Sequence, residues 1–346
     1  MSSTLSHAYA VIMAGGRGER FWPLSTAARP KQFLSLFGGR TLLTHALDRV
    51  VGLIPPERIL IITSRDLVPA TQAAAWNVPA ENIIGEPVGR DTAAACALAC
   101  GLVARRDPQG VVCILTADHL MADVDAFRQI LVDSVTVASA HDTIATIGVQ
   151  PTYAATGYGY IESGERLDTE TSTPFQNVLR FVEKPNVEVA AEYLASGRYC
   201  WNAGMFIWRV PVMRKAIEQF APHLLNLCQR AAAVPVEQLD TLMDEVYPPL
   251  PRISVDFAIM EHLDNIVVAR GNFGWDDVGT WASVGNHIAP DAAGNIVIGS
   301  CEALDATGNV VISEGRLTAL LGVKNVVVVH AGKATLVCDR ERVQEL

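Results

Sequence analysis

Three groups of residues in this chain have the types and spacing to do chemistry on a polyanion. The first is the run Ala14-Gly15-Gly16-Arg17-Gly18, followed by Arg20, Arg29 and Lys31. Glycines let backbone N–H groups approach an anion closely, and the cations crowd positive charge around the turn, so phosphate is the expected guest. No Gly-Lys-Ser/Thr closes the run, which excludes a Walker loop, and Arg20 stands where a dinucleotide fingerprint needs its third glycine. The second group is acidic: Asp118 in Thr116-Ala117-Asp118-His119, and the pair Asp276-Asp277 between Gly274 and Gly279. A nucleoside triphosphate needs Mg2+, which takes one or two carboxylates and fills its other positions with phosphate oxygens and water. Asp118 and Asp277 are the candidate ligands, and a cation is expected to relieve the repulsion between the adjacent acids. The plainer readings are a helix cap or loop residue for Asp118 and a solvent-exposed turn for Asp277. The third group is Gly157 in TGYGYI, where glycines allow the close approach a sugar needs, with Glu183 and Lys184 at the mouth of a strand that stops at Pro185. For those last two a surface ion pair is the plainer reading. His119 has no clustered ligand or nucleophile beside it in the sequence and reads as structural.

The elements that must position these residues follow from the apolar periodicity. Tyr9–Met13 reads as a short buried strand feeding the glycine turn. Leu42, Leu43, Ala46, Leu47 and Val50 recur at helical spacing, and Ile59–Ile62 is short and β-branched. A helix over Leu67–Trp76, a strand at Asn82–Ile84, an Ala-rich helix over Thr92–Arg105 and a strand at Val111–Leu115 continue the alternation. That pattern predicts an α/β fold with a mixed, mostly parallel sheet covered on both faces, whose ligands sit beyond the carboxyl ends of the strands. Further on, a helix is expected over Asp125–Ser139 and another over Ser254–Leu263 with Ser254 as its cap. WNAGMFIW at 201–208 is mostly core with one amide, Asn202, near its start. After Gly294 helical spacing disappears. Short strands after Gly-Asn at 294–300 and 308–313, and two more near Val326 and Thr335, predict a small stacked β unit that needs a neighbour, hence a homodimer.

The chain has 346 residues, half of them hydrophobic, which is enough to bury one large domain and a small one. Its net charge of −10 argues against a nucleic-acid surface. No stretch approaches the roughly 18 uncharged apolar residues of a membrane span, and no basic region precedes the first apolar run, so a cytoplasmic location is expected. The seven cysteines are odd in number, scattered and mostly inside apolar runs, so reduced thiols are expected.

The motifs GGRGER with PKQF, EPVGRDTAAA, TADH, TGYGYI, FVEKP, WNAGMFIW, SVDFAIME and GWDDVGTW occur in this order along nearly the whole chain. On them the sequence resembles the mannose-1-phosphate guanylyltransferases, within the sugar-1-phosphate nucleotidyltransferases. The resemblance implies a nucleotidyltransferase domain over 1–288 and a C-terminal left-handed β-helix over 289–346. It implies the reaction of GTP with mannose 1-phosphate, with Mg2+ as cofactor, to give GDP-mannose and pyrophosphate. By motif, Ala14, Gly15, Gly16, Arg17, Gly18, Lys31, Arg90, Asp91, Thr92 and Asp118 would bind the nucleotide. Gly157, Glu183, Lys184 and Asn202 would bind the sugar phosphate, Asp118 and Asp277 the metal, and Arg17, Lys31 and Lys184 would neutralise charge in the reaction. The chain departs from the family at Asp91-Thr92-Ala93-Ala94, where the family usually has Asn-Thr-Ala-Pro, and at Thr116, where it often has proline. Asp91 is acceptor-only, so it either reads the donor edge of guanine or caps the helix that follows. Another sugar 1-phosphate, such as a manno-heptose, and a catalytically silent regulatory subunit stand as alternatives.

Overall fold

The computed structural model describes residues 3–16 and 18–346, so Arg17, one of the expected phosphate ligands, lies outside the described residues. The chain forms two compact units, one from residues 1–15, 47–116 and 121–275 and the other from 16–46, 117–120 and 276–346. Its strands in chain order are β1 (Ala8–Ala14), β2 (Ile59–Ser64), β3 (Ile83–Glu86), β4 (Val111–Thr116), the two-residue β5 (Leu120–Met121), β6 (Ile144–Val149), β7 (Tyr160–Arg166), β8 (Phe175–Val182), β9 (Tyr199–Arg209) and β10 (Ile266–Gly271). The two-residue β11 (Trp275–Asp276), β12 (Ile296–Leu304), β13 (Val310–Leu321), β14 (Val326–Ala331) and β15 (Ala334–Asp339) complete the set.

Among the described residues, the first unit carries a nine-stranded sheet in the order β3-β2-β1-β4-β9-β6-β10-β8-β7. β3, β2, β1 and β4 are parallel, with Ala10 opposite Ile59 and Ala8 opposite Val111. β9 runs antiparallel to both β4 and β6, and β10 returns parallel to β6. The parallel strands are apolar up to their carboxyl ends because helices cover both faces, as their sequences require. Behind them lies the helix Asp91–Arg106, in which every residue from Ala93 to Val103 is buried. Its small side chains serve close packing: a Cβ at Gly101 would stand 2.4 Å from the carbonyl oxygen of Cys228 on the helix Leu225–Ala233. The parallel register brings Ala14, Glu86 and Thr116 to the same carboxyl edge of the sheet.

The helix expected over Ser254–Leu263 is a single turn, Val255–Ala258, followed by a 3-10 turn at Met260–His262. Ser254 does cap it, accepting from the Phe257 N–H at 3.3 Å.

The second unit has its own core, in which Phe21, Leu34, Phe37, Trp281, Val284, Val310 and Val329 are buried together. β12, β13 and β14 stack in parallel and β15 closes the stack antiparallel. Asn295 and Asn309 repeat at the foot of successive rungs. The Asn309 amide donates to Asn295 Oδ1 at 2.9 Å, and both residues are buried, so each Asn of the Gly-Asn pairs satisfies the coil below or above it. All seven cysteines are free thiols. No helix of the described residues is long and apolar enough to cross a membrane.

Candidate active site

The second unit gathers Gly18, Lys31, Asp118 and Asp277. Lys31 follows Pro30, which opens a 3-10 turn, and its ammonium is nearly buried. Lys31 Nζ donates to Asp118 Oδ2 at 3.0 Å and to the main-chain carbonyl of Asp277. Gly18, at φ +61°, presses on the same lysine: a Cβ there would stand 2.3 Å from Lys31 Cβ and 2.7 Å from its nitrogen. The glycine requirement in this loop is therefore steric as well as conformational. Partial burial works against the charge on Asp118, but the Lys31 ammonium, then His119, outweigh it and hold the carboxyl below its ordinary value. His119 Nε2 lies 3.7 Å from Asp118 Oδ1, so this histidine is part of the acid's surroundings.

Asp276 and Asp277 have different environments. Asp276 accepts from the Val278 N–H at 2.6 Å, from Asn286 Nδ2 at 3.1 Å and from His287 Nε2 at 3.0 Å. Burial opposes its charge, and the bonds from His287, Asn286 and Val278 override that, so its carboxyl is held low. The repulsion expected between the two acids is thus relieved by protein donors on Asp276, and no bound cation is needed for that purpose. Val278 takes φ +47°, an uncommon conformation for a β-branched residue, in the turn that carries Asp277. Arg29, expected beside the glycine turn, pairs instead with Glu314 at 3.0 Å.

Among the described residues no group of three or more His, Cys, Asp and Glu converges as a metal cage. The Asp118 carboxylate and the main chain of Asp277 meet at the Lys31 ammonium, and a magnesium ion takes only one or two carboxylates and leaves its remaining positions to phosphate and water.

In the first unit, Gly15 faces Glu86 at the end of β3, where a Cβ at 15 would stand 3.1 Å from Glu86 Oε2. Glu86 is buried, its Oε1 accepts from the Tyr247 hydroxyl, and burial pushes its carboxyl up to about 7, a rise the Tyr247 bond moderates and the Asp91 charge adds to. Sequence reasoning marked the stretch from Glu86 to Ala95 but gave Glu86 no role of its own, although its position, an acid ending an apolar strand at the carboxyl edge, was readable. Arg90 donates to the Pro248 carbonyl. Asp91 is exposed, has φ +64°, and accepts from the Thr92 N–H at 2.8 Å. It is the first residue of its helix, and its carboxylate satisfies one of that helix's leading amides.

On the other half of the same sheet, Asn202 of β9 donates its main-chain N–H to the Gly159 carbonyl at 2.9 Å. A Cβ at Gly159 would stand 2.8 Å from Glu183 Oε2 and 3.6 Å from Asn202 Cβ, whereas Gly157 has open space around it. The tight backbone approach is therefore at Gly159, two residues beyond Gly157. Lys184, at φ +42°, pairs with Glu183 Oε1 at 2.7 Å, as the plainer reading of those two residues expects.

Comparison with known proteins shows the family. Residues 9–292 match the family described as Nucleotidyl transferase, and residues 299–346 match the MannoseP isomerase/GMP-like beta-helix domain. A mannose-1-phosphate guanylyltransferase of Escherichia coli (strain K12) is 38% identical over 99% of this chain and 72% of its own length. A putative mannose-1-phosphate guanylyltransferase of Vibrio cholerae is 37% identical over 97% of this chain and 72% of its own length. A crystal structure from Thermus thermophilus, titled a mannose-1-phosphate geranyltransferase, superposes with a TM-score of 0.88 at 36% identity, covering 98% of this chain and 97% of that one.

Proposed function

Because the chain belongs to the mannose-1-phosphate guanylyltransferase family of nucleotidyl transferases, we propose that it transfers GMP from GTP to mannose 1-phosphate, giving GDP-mannose and pyrophosphate. The observation that carries the reading is the cluster of Lys31, Asp118 and Asp277 in a chain that matches a relative over 99% of its own length and 72% of the relative's.

The sugar phosphate is already a nucleophile, so no Ser, Cys or His triad is required. Its phosphate oxygen attacks the α-phosphorus of GTP in line and pyrophosphate leaves, and the protein's task is to position two polyanions and neutralise charge. In this reading the glycine turn with Arg17 and Lys31 holds the triphosphate. Lys31 is suited to it because its desolvated ammonium interacts more strongly than one in water. Asp118 and Asp277 would hold Mg2+, which when bound supplies electrophilic charge to the phosphate oxygens. Arg90, exposed Asp91 and Thr92 lie on the nucleotide side with Glu86, which is buried and a second acceptor for the guanine edge. Gly157, Gly159, Glu183 and Asn202 face the sugar, and Lys184 exchanges its bond with Glu183 for one to the sugar's phosphate. Exposed Leu304, Leu317, Leu321 and Val337 on the stacked strands support a homodimer, and the soluble character of the substrates supports a cytoplasmic location.

The test is pyrophosphate release with GTP and Mg2+, with and without mannose 1-phosphate, for the parent protein and Asp277→Asn. Release that needs both substrates and falls by about a hundredfold in the variant is expected. Release with other sugar 1-phosphates but not with mannose 1-phosphate would move the assignment, and silence with all of them would favour a regulatory role.

A further inference from the structure

Asn202 is held by a residue that none of the site assignments includes. Its Oδ1 accepts from the Gly204 N–H at 3.0 Å, and its Nδ2 donates to Asp256 Oδ1 at 2.8 Å. An N–H only donates and a carboxylate only accepts, so these two contacts define which end of the carboxamide is which. One Nδ2 hydrogen and one Oδ1 lone pair remain for a ligand. The backbone is shaped for this contact. Thr146 pairs with Phe206 and Gly148 with Asn202, so β9 carries two extra residues against β6, and Gly204 turns through φ +66° inside that bulge.

Asp256 is itself anchored. It sits in the first turn of the short helix Val255–Ala258, whose Val255 N–H donates to Thr92 Oγ1 at 2.8 Å. Beside that bond the Ala93 N–H donates to the Ile253 carbonyl at 3.2 Å. Thr92 and Ala93 open the long helix Asp91–Arg106, which the proposed function assigns to the nucleotide. Thus two hydrogen bonds, Val255 to Thr92 and Asn202 to Asp256, linked by the Val255–Asp256 peptide, join the start of that helix to the sugar-side amide. Burial raises the Asp256 carboxyl to about 6, the Asn202 bond lowers it, and Glu183 and Glu261 add to the rise. A carboxylate kept among other acids is costly without a task.

We propose that Asp256 is a positioning residue that fixes the carboxamide of Asn202 toward the sugar, and that the Thr92–Val255 bond makes this position depend on the nucleotide-side helix. The inference rests on the assignment of Asn202 to the sugar phosphate. Both substrates then read one shared element, so occupancy of one subsite favours the other.

The experiment compares Asp256→Ala, Asp256→Asn and Thr92→Val with the parent protein. Asp256→Ala is expected to raise KM for mannose 1-phosphate about tenfold, the scale of one charge-assisted hydrogen bond, while KM for GTP stays within about twofold. Asp256→Asn keeps an acceptor for Asn202 Nδ2 and is expected to recover most of the loss. Thr92→Val is expected to shrink the gain in sugar-phosphate affinity caused by saturating GTP by about threefold or more. Equal rises in both KM values, a loss confined to kcat, or no recovery in Asp256→Asn would overturn the positioning role. The side-chain amide protons of Asn202 supply a readout that needs no turnover. Their hydrogen exchange should accelerate at least about tenfold in Asp256→Ala, and unchanged exchange would overturn the proposal even in a protein that uses another sugar. Absence of mannose 1-phosphate turnover in the parent, with accelerated exchange in the variant, would instead fault the substrate assignment alone.

Discussion

Gly18 and Lys31 are in contact through backbone that leaves no room for a side chain: a Cβ on Gly18 would stand 2.3 Å from Lys31 Cβ. The loop and the lysine are separated by a dozen residues in sequence, yet each sets the position of the other. Gly18→Ala therefore meets a left-handed φ and a backbone clash together, and should cost about 1–3 kcal/mol of stability and raise KM for GTP. Gly16 has nothing within 4 Å of its Cβ position. Gly16→Ala should melt within about 0.5 kcal/mol of the parent. Equal melting of the two variants would show that the contact is not a constraint.

The pair Lys31 and Asp118 makes a pH prediction. The carboxyl of Asp118 is held below its ordinary value. Its contribution to stability is therefore present above the ordinary aspartate range, about 3.9, and is lost as pH falls through the lower folded value. A double-mutant cycle of Lys31→Met and Asp118→Asn should show favourable coupling at pH 6 that weakens as the solution is acidified below the ordinary aspartate value. Coupling that is absent at pH 6 would contradict the ion pair.

Glu86 carries the opposite sign. Its folded value of about 7 lies above the ordinary 4.5, so the folded protein binds this proton more tightly than the unfolded chain. Stability from this group is full below about pH 4.5, declines as pH rises, and reaches its greatest cost above pH 7, on the order of 3 kcal/mol. Glu86→Gln still accepts from Tyr247 but has no charge to bury. The variant should flatten the fall in melting temperature between pH 5 and pH 8, and an unaltered slope would show that Glu86 is not its source.

Asp276 and Asp277 are adjacent, yet their variants should separate stability from activity. Asp276 holds three donors and is mostly buried, so Asp276→Ala should cost about 2–4 kcal/mol through unsatisfied Val278, Asn286 and His287 groups. Asp277→Asn should leave melting nearly unchanged and remove most pyrophosphate release. Thermal melts of both proteins beside their rates decide this, and a larger melting loss in Asp277→Asn would reverse the assignment.

Much of the fold was determined by local sequence. The helix Asp91–Arg106 and the strands β1, β2 and β4 follow from periodicity that any neighbour would enforce, because apolar side chains at those spacings can be buried only that way. The glycine turn, the acids after strands and the stacked β unit were legible for the same reason. The family, too, could be read from motif order. What only the tertiary structure decided was pairing between distant residues. Periodicity gives no sign that Asp276 is satisfied by Asn286 and His287, that Arg29 turns to Glu314, or that Asp256 holds Asn202. Nor does it show that the helix after Ser254 ends within one turn. Hydrogen bonds and ion pairs depend on geometry to a few tenths of an ångström, and that precision comes from packing the whole chain rather than from the spacing of residues along it.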